Sequence, residues 1–320
     1  MKKITYLFLL LSLSLFSQKS QLDRVDDIIK SYHNIESIED LAKKIDSDFS
    51  SPIEKVRAAY TWTAKNISYS YKNPFDIGST QIYIVLDEDD YQRRLRREDK
   101  KTLEKAFSDR KGVCKGYALI FQEICDLLQI ENKVILGYTK NSINQIGFIP
   151  TRKNHAWNAV KIDAKWFFSD VTAAAGYAVK GVWQRRFNGA FFNIPKSIIS
   201  NTHYSQDTLW LAQVNQKNLE EFCNLPLFSR AYFDREFEVV SPIIGKISSQ
   251  KRKKIQLKVI GIDFQTKVYY QYDDGPVKEG DTFFENAITK IHMKAPSKDA
   301  ILKIFFDKKE ALNYQVVIRD

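Results

Sequence analysis

Cys114 is the residue of this chain most able to do chemistry. It stands in "KGVCKGYA", between Gly112 and Gly116, at the head of a run over residues 112–129. Residues 114, 117, 118, 121, 124, 125 and 128 of that run fall on one helical stripe. A thiol at the positive end of a helix is favoured as thiolate by the dipole and by the orphan N–H groups of the first turn. The same amides can hydrogen-bond an oxyanion that develops on a substrate carbonyl. The flanking glycines read as a tight entry that lets a substrate backbone approach closely.

The partners such a thiol needs come later. His155 opens "HAWNAVKI" and Asp170 lies near the end of "KWFFSDV". Both segments have the period-2 pattern of strands, and Asp163-Ala164 between them reads as a tight turn. Pairing Ile162 with Lys165 sets the register. It puts His155 opposite Thr172, and places His155 and Asp170 on one face as diagonal neighbours ~7–8 Å apart at the backbone. A carboxylate so placed fixes the imidazole tautomer and stabilises the imidazolium. A cysteine on a helix, with His and Asp on adjacent later strands, is the layout of a thiol acyl-transfer enzyme. His33, His203 and His292 lack such partners and read as surface or structural. Trp157, Trp166 and Phe167 read as core. With no CxxC, no HExxH and no phosphate-cradling glycine loop, neither metal nor cofactor is expected.

The elements that must carry this site are legible around it. "SPIEKVRAAYTWTAKNI" has Ser51 as N-cap and Pro52 at the first helical position. Residues 18–50 read as helical, and residues 70–102 as a long charged surface excursion without a clear period. After the Cys114 helix the period changes from 3.6 to 2. From about residue 236 the chain is a series of short strands: "EFEVVS", "KKIQLKVI", "TKVYYQYD", "ITKIHMK", "AILKIFF" and "LNYQVVI". Strands at such regular spacing argue for a β-sandwich.

"GVCKGYA", then "NHAWNAVKIDAKWFFSDVT" running into "AAAG", resembles the transglutaminase-like superfamily. "YTWTAKNISYS" upstream extends the resemblance. "FFNIPKSIISNTHYSQDTLWLAQVNQKNLEEFCNLP" is similar to the segment that follows the core in exported bacterial members, so about residues 50–226 are covered. The resemblance implies an α+β fold: a papain-like core of N-terminal helices packed on an antiparallel sheet, followed here by the Ig-like β-sandwich. It implies Cys114 as nucleophile, His155 as base and Asp170 as orienting acid. A second oxyanion donor comes from an upstream side chain in this superfamily, for which Tyr69 is the candidate. Two features depart from the family: Lys115 stands where Gln or Ser is common, and the 70–102 excursion has no match.

The functional expectation is an exported thiol enzyme forming an acyl-enzyme at Cys114 on protein amide bonds. Hydrolysis makes it a cysteine protease or amidase. The alternatives are glutamine–lysine cross-linking and a catalytically silent binding module of the cell envelope. "MKKITYLFLLLSLSLFSQ" has a basic start, an apolar run at 4–16 and small polar residues after it. It reads as a signal peptide over 1–17, cleaved after Ser17, which implies a secreted or periplasmic protein. Residues 18–234 then form the enzyme domain and 235–320 the sandwich.

The 320 residues, 44% hydrophobic and 13% aromatic, suit two globular domains with sizeable cores. Removing Lys2 and Lys3 takes the net charge from +10 to +8. The basic runs "RRLRREDKK" and "KRKK" carry no interleaved aromatics, so no nucleic-acid partner is expected. An anionic envelope surface would attract either run. The expected partner is a protein or peptide substrate, and no second apolar run could span a membrane. Cys114 and Cys125 lie about 16 Å apart along one helix, too far for a disulfide. A Cys125–Cys223 bridge is weighed against a buried apolar role for Cys125.

Overall fold

The computed structural model describes residues 21–70, 87–179, 182–216, 218–235 and 237–319. The signal-peptide reading falls on residues 1–20 and lies outside them. The chain forms two compact units, residues 1–135 with 155–193 and residues 136–154 with 194–320.

The first unit is built around two buried helices. α3 (Pro52–Asn66) buries every residue from Val56 to Ala64, including Arg57, Thr61 and Thr63, whose polar groups are hydrogen-bonded. Its N-terminus is closed by a Ser51–Glu54 capping box, with Pro52 in the first turn. α5 (Cys114–Leu127) buries Tyr117 to Phe121, Ile124 and Cys125. Ahead of them, α1 (21–29) and α2 (Ile38–Asp48) are separate helices. The continuous helix read over 18–50 is therefore broken. The break falls where Asn34 adopts φ 55° and Ser37 caps α2 by accepting the Asp40 N–H. Asp26 of α1 accepts two bonds from the Arg57 guanidinium and one from the Thr61 hydroxyl, which locks α1 onto α3.

The charged excursion also differs from its reading. Residues 88–108 form α4 (Glu88–Ser108), while 71–86 lie outside the described residues. This helix has little apolar stripe. Asp87 caps it, and ion pairs one turn apart support it: Arg94–Asp90, Lys101–Glu98 and Lys105–Asp109.

Two short strands, β1 (Ser68–Tyr69) and β2 (Lys111–Gly112), pair in parallel and lead into α5. β4 (His155–Ile162) and β5 (Lys165–Ser169) form the expected hairpin, with Ile162 opposite Lys165. Its turn residues Asp163 and Ala164 both take positive φ, 50° and 62°. β4 is preceded in the chain by β3 (Asn132–Thr139), whose residues 132–135 belong to the first unit. α6 (Val171–Ala175) follows β5. β6 (Gly176–Val179) and β7 (Val182–Arg185) make a second hairpin.

In the second unit, the end of β3 pairs with β8 (His203–Ser205), which α7 (Lys196–Thr202) precedes. α8 (Thr208–Gln213), α9 (Leu219–Asn224), β9 (Leu227–Phe228) and α10 (Arg230–Phe233) lead to a β-rich stretch. One sheet is ordered β10 (Glu238–Ser241), β12 (Lys254–Ile260), β16 (Ile288–Lys294), β15 (Asp281–Glu285). The other is ordered β11 (Lys246–Gln250), β18 (Lys309–Arg319), β17 (Ala300–Phe306), β13 (Val268–Tyr272), β14 (Lys278–Glu279), with β9 also on β18. Inward residues such as Leu257, Ile291, Leu302 and Tyr314 are fully buried.

Gly112 and Gly116 have a packing reason that the sequence reading did not supply. A Cβ on Gly116 would lie 2.9 Å from the Ala106 Cβ of α4, and one on Gly112 3.1 Å from the same atom. Neither glycine has a positive φ, so they serve the close approach of α4 to the entry of α5. Gly116→Ala is expected to push the two helices apart and destabilise the protein by about 1–3 kcal/mol. Thermal melts check this, and the Gly116→Ala/Ala106→Gly pair should recover most of the loss. An unchanged melt for the single variant would show that the two helices are not in close contact.

Candidate active site

Cys114 is the first residue of α5 and is 1% exposed. Val113 occupies the N-cap and has no side-chain acceptor, so no cap uses the first-turn amides. Four contacts fix this end of the helix. The Tyr117 hydroxyl donates to the Ile67 carbonyl at 2.6 Å. Lys115 pairs with Asp99 of α4 at 2.5 Å. Ala106 fills the space beside Gly116. Asn158 of β4, fully buried, donates from Nδ2 to the Ala118 carbonyl at 3.0 Å. That last bond fixes the helix carrying Cys114 against the strand carrying His155.

His155 is the first residue of β4. Its Nε2 lies 2.7 Å from Asp170 Oδ2, and Cys114 is near enough to the same ring to contribute to raising its pKa. Burial opposes charge on this ring, but the Asp170 carboxylate and its hydrogen bond outweigh it, with a smaller contribution from Cys114. The imidazole pKa rises from 6.5 to about 10. At neutral pH the ring is therefore an imidazolium, donating from both nitrogens. Trp157, two residues on and buried, lies parallel to it with centroids 6.1 Å apart.

Asp170 reaches His155 by a route different from the one expected. The β4–β5 ladder ends at Asn158–Ser169, so His155 has no cross-strand partner at Thr172. The chain turns instead, and Asp170 becomes the N-cap of α6. Its Oδ1 accepts the Ala173 N–H at 2.9 Å while its own N–H donates to the Phe191 carbonyl at 2.9 Å. One carboxylate oxygen holds the helix and the other holds the imidazole. The cap position was readable in "SDVTAAAG", because Asp before a short alanine run is an N-cap signal.

Tyr69 sits opposite Gly112 in the β1–β2 ladder, two residues before Cys114 on the partner strand. Its ring stacks on Trp183 of β7, centroids 4.8 Å apart. Asn158, Asp99 and Trp183 carried no motif; each is recognisable only once the fold brings it beside the Cys114 helix. His33 is exposed, His203 is buried with Nδ1 on the Thr202 hydroxyl, and His292 bonds Gln256. All three cysteines are free, so the Cys125–Cys223 bridge is not formed. Cys125 is completely buried, and burial pushes its thiol pKa up, as it does for Cys223.

The family model of the transglutaminase-like superfamily matches residues 39–171, a range that holds Cys114, His155 and Asp170. The chain is similar to the Kyphoscoliosis peptidase of Homo sapiens, 25% identical over 192 residues, covering 59% of this chain and 26% of that protein. The Mus musculus counterpart is 24% identical over 203 residues, covering 62% and 27%. The chain thus spans about a quarter of the length of these curated relatives. Among solved structures it is similar to one described as a TGase, 18% identical, covering 55% of this chain and 40% of that one, with a TM-score of 0.29. Over residues 39–171, under half of its length, the chain is similar to the core of the transglutaminase-like superfamily.

Proposed function

We propose that the protein is a thiol enzyme that forms an acyl-enzyme at Cys114 on protein amide bonds and hydrolyses it, as a cysteine protease or amidase does. The observation that carries this reading is the His155–Asp170 pair, closed at 2.7 Å, with Cys114 near enough to the imidazole to help raise its pKa. It lies at a helix start whose amides no side chain caps.

In this mechanism the Cys114 proton is held on His155, the sulfur attacks the amide carbon as the thiolate, and the carbonyl electrons move onto oxygen. The first-turn amides of α5 bind that oxyanion, with Tyr69 as the second donor. His155 gives its Nδ1 proton to the amide nitrogen, the C–N bond breaks, and the amine leaves. A thioester remains. Water then attacks it, His155 takes one water proton, and collapse of the second tetrahedral adduct releases the acid and leaves the Cys114 thiolate beside the imidazolium. Asp170 holds the ring and stabilises the imidazolium throughout.

The proposal extends to location and organisation. The leader at 1–17 would export the chain, residues 18–234 would form the enzyme domain, and 235–320 the β-sandwich. Among the described residues no helix is long and apolar enough to cross a membrane.

The test is turnover of a casein-type substrate with and without a primary amine, read by mass spectrometry. The expected result is new carboxyl termini or deamidated glutamine at a rate the amine barely changes. If the amine is incorporated faster than water cleaves, the enzyme is a cross-linking transferase instead. If neither product forms above the level of a Cys114→Ala control, the protein is a silent binding module.

A further inference from the structure

Five strand ends of the second unit meet at one place. β11 ends at Gln250 beside Arg319 of β18, and a turn through 251–253 leads into β12. Lys254 of β12 stands directly opposite Lys294, the last residue of β16. The loop after Lys294 carries Lys298 into the start of β17. Lys251, Arg252, Lys253, Lys254, Lys294, Lys298 and Arg319 are all exposed here. The backbone that presents them is held: Lys253 N–H donates to Gln250, Ala295 N–H donates to Lys253, and Arg252 projects from the turn at φ 61°. Among the described residues of 246–256, 292–300 and 315–319 the one acid is Asp299, whose Oδ1 accepts the Ile318 N–H, and Asp320 follows Arg319 in the sequence.

A second like-charged row on the same two strands shows how the fold treats such pairs. Lys258 stands opposite Lys290, and there β15 supplies Glu285, which pairs with Lys290 and has its pKa lowered chiefly by that bond, with Lys258 contributing. No acid is supplied to the Lys254–Lys294 row, although like charges directly across a ladder repel. Strands lie about 5 Å apart and sheets about 10 Å, so the fields of the seven cations overlap within a Debye length or two.

We propose that this basic strand end docks the protein onto an anionic lipid bilayer. The end is made of turns and strand termini and presents no exposed aromatic on which bases could stack, so it asks only for a plane of negative headgroups. Export by the leader proposed at 1–17 would bring the mature chain out beside an anionic envelope bilayer, which favours headgroups over a soluble polymer as the source of anions.

Co-sedimentation of the full chain with vesicles tests this. Phosphatidylcholine vesicles with one-third phosphatidylglycerol should bind it more tightly than phosphatidylcholine alone. The second set subtracts any capture by the N-terminal apolar run. The preference should fall steeply with salt. Each cation near such a surface is worth roughly fivefold in partitioning. Arg252→Gln/Lys253→Gln/Lys254→Gln/Lys298→Gln should therefore lose roughly six-hundredfold of the anionic preference. Lys43→Gln/Arg96→Gln/Arg97→Gln/Lys133→Gln, with the same change in net charge, should stay within about threefold of the parent. Should the quadruple variant melt abnormally, Lys294→Gln/Lys298→Gln should still lose roughly tenfold to thirtyfold. The proposal is overturned by equal losses in the tip and control variants, or by no anionic preference in the parent. It is also overturned if the tip substitutions abolish binding to duplex DNA while leaving vesicle binding intact.

Discussion

Cys114→Ala should bring amide turnover down to the uncatalysed background, a loss on the order of 10⁴-fold or more. The thioester cannot form without the sulfur, and nothing among the contacts of that helix start offers another nucleophile. Lys115, the adjacent amine, is held away in its pair with Asp99. The fold should survive. The substitution deletes one atom from a site already closed by Tyr117, Asn158 and Ala106. The cavity it leaves should cost about 1 kcal/mol, with a cooperative melt retained. Turnover and thermal unfolding measured on the same preparation separate the two roles. Retained turnover would remove Cys114 from the chemistry. Lost turnover together with a lost cooperative melt would make it a packing residue.

What could be read from the sequence was local and periodic. The β4–β5 hairpin carries its own alternation and a two-residue turn in which both residues take positive φ, so its turn and register came through, although β5 stops at Ser169, two residues short of the run read as strand. α3 and α5 announce themselves by a cap and by a wide apolar stripe. α4 does not, because charge pairs and few apolar contacts stabilise it, and charge runs look alike in helix and loop. β11 and β15 were missed for a related reason. "KISSQ" and "DTFFE" are half-exposed, and their pairing partners, β18 and β16, decide their state. Gly112 and Gly116 were visible but their packing reason was not, since Ala106 meets them only after α4 folds back. The His155–Asp170 pairing was readable from register. That Asp170 reaches His155 from a helix cap, after the ladder has ended, depended on where the strand stops.

That cap position sets the outcome of Asp170→Asn. The aspartate uses one oxygen for the Ala173 N–H and the other for His155 Nε2. Asparagine offers a single acceptor, so one task must fail. If the oxygen keeps the cap, the amide nitrogen faces Nε2, and an imidazole can accept that bond only in its neutral form. The imidazolium then loses its principal stabilisation and the pKa of His155 falls from about 10 toward or below 6.5. If the amide turns over instead, α6 loses its cap, at about 1 kcal/mol. In the first case the alkaline limb of the rate profile moves down by several pH units and turnover falls about 10²-fold, because the acid that protonates the leaving amine is spent earlier. Asp170→Ala loses both tasks and should be slower again, though above Cys114→Ala. Stability must follow the same sign. A histidine whose folded pKa is raised contributes stability that is complete below about pH 6.5 and is lost as pH climbs toward 10. The parent should therefore exceed Asp170→Asn by the most near pH 6, and the gap should narrow by up to about 1.4 kcal/mol per pH unit above it. Chemical denaturation of both proteins from pH 6 to 10 measures that gap. A gap that stays constant with pH would show that Asp170 does not hold the charge of His155.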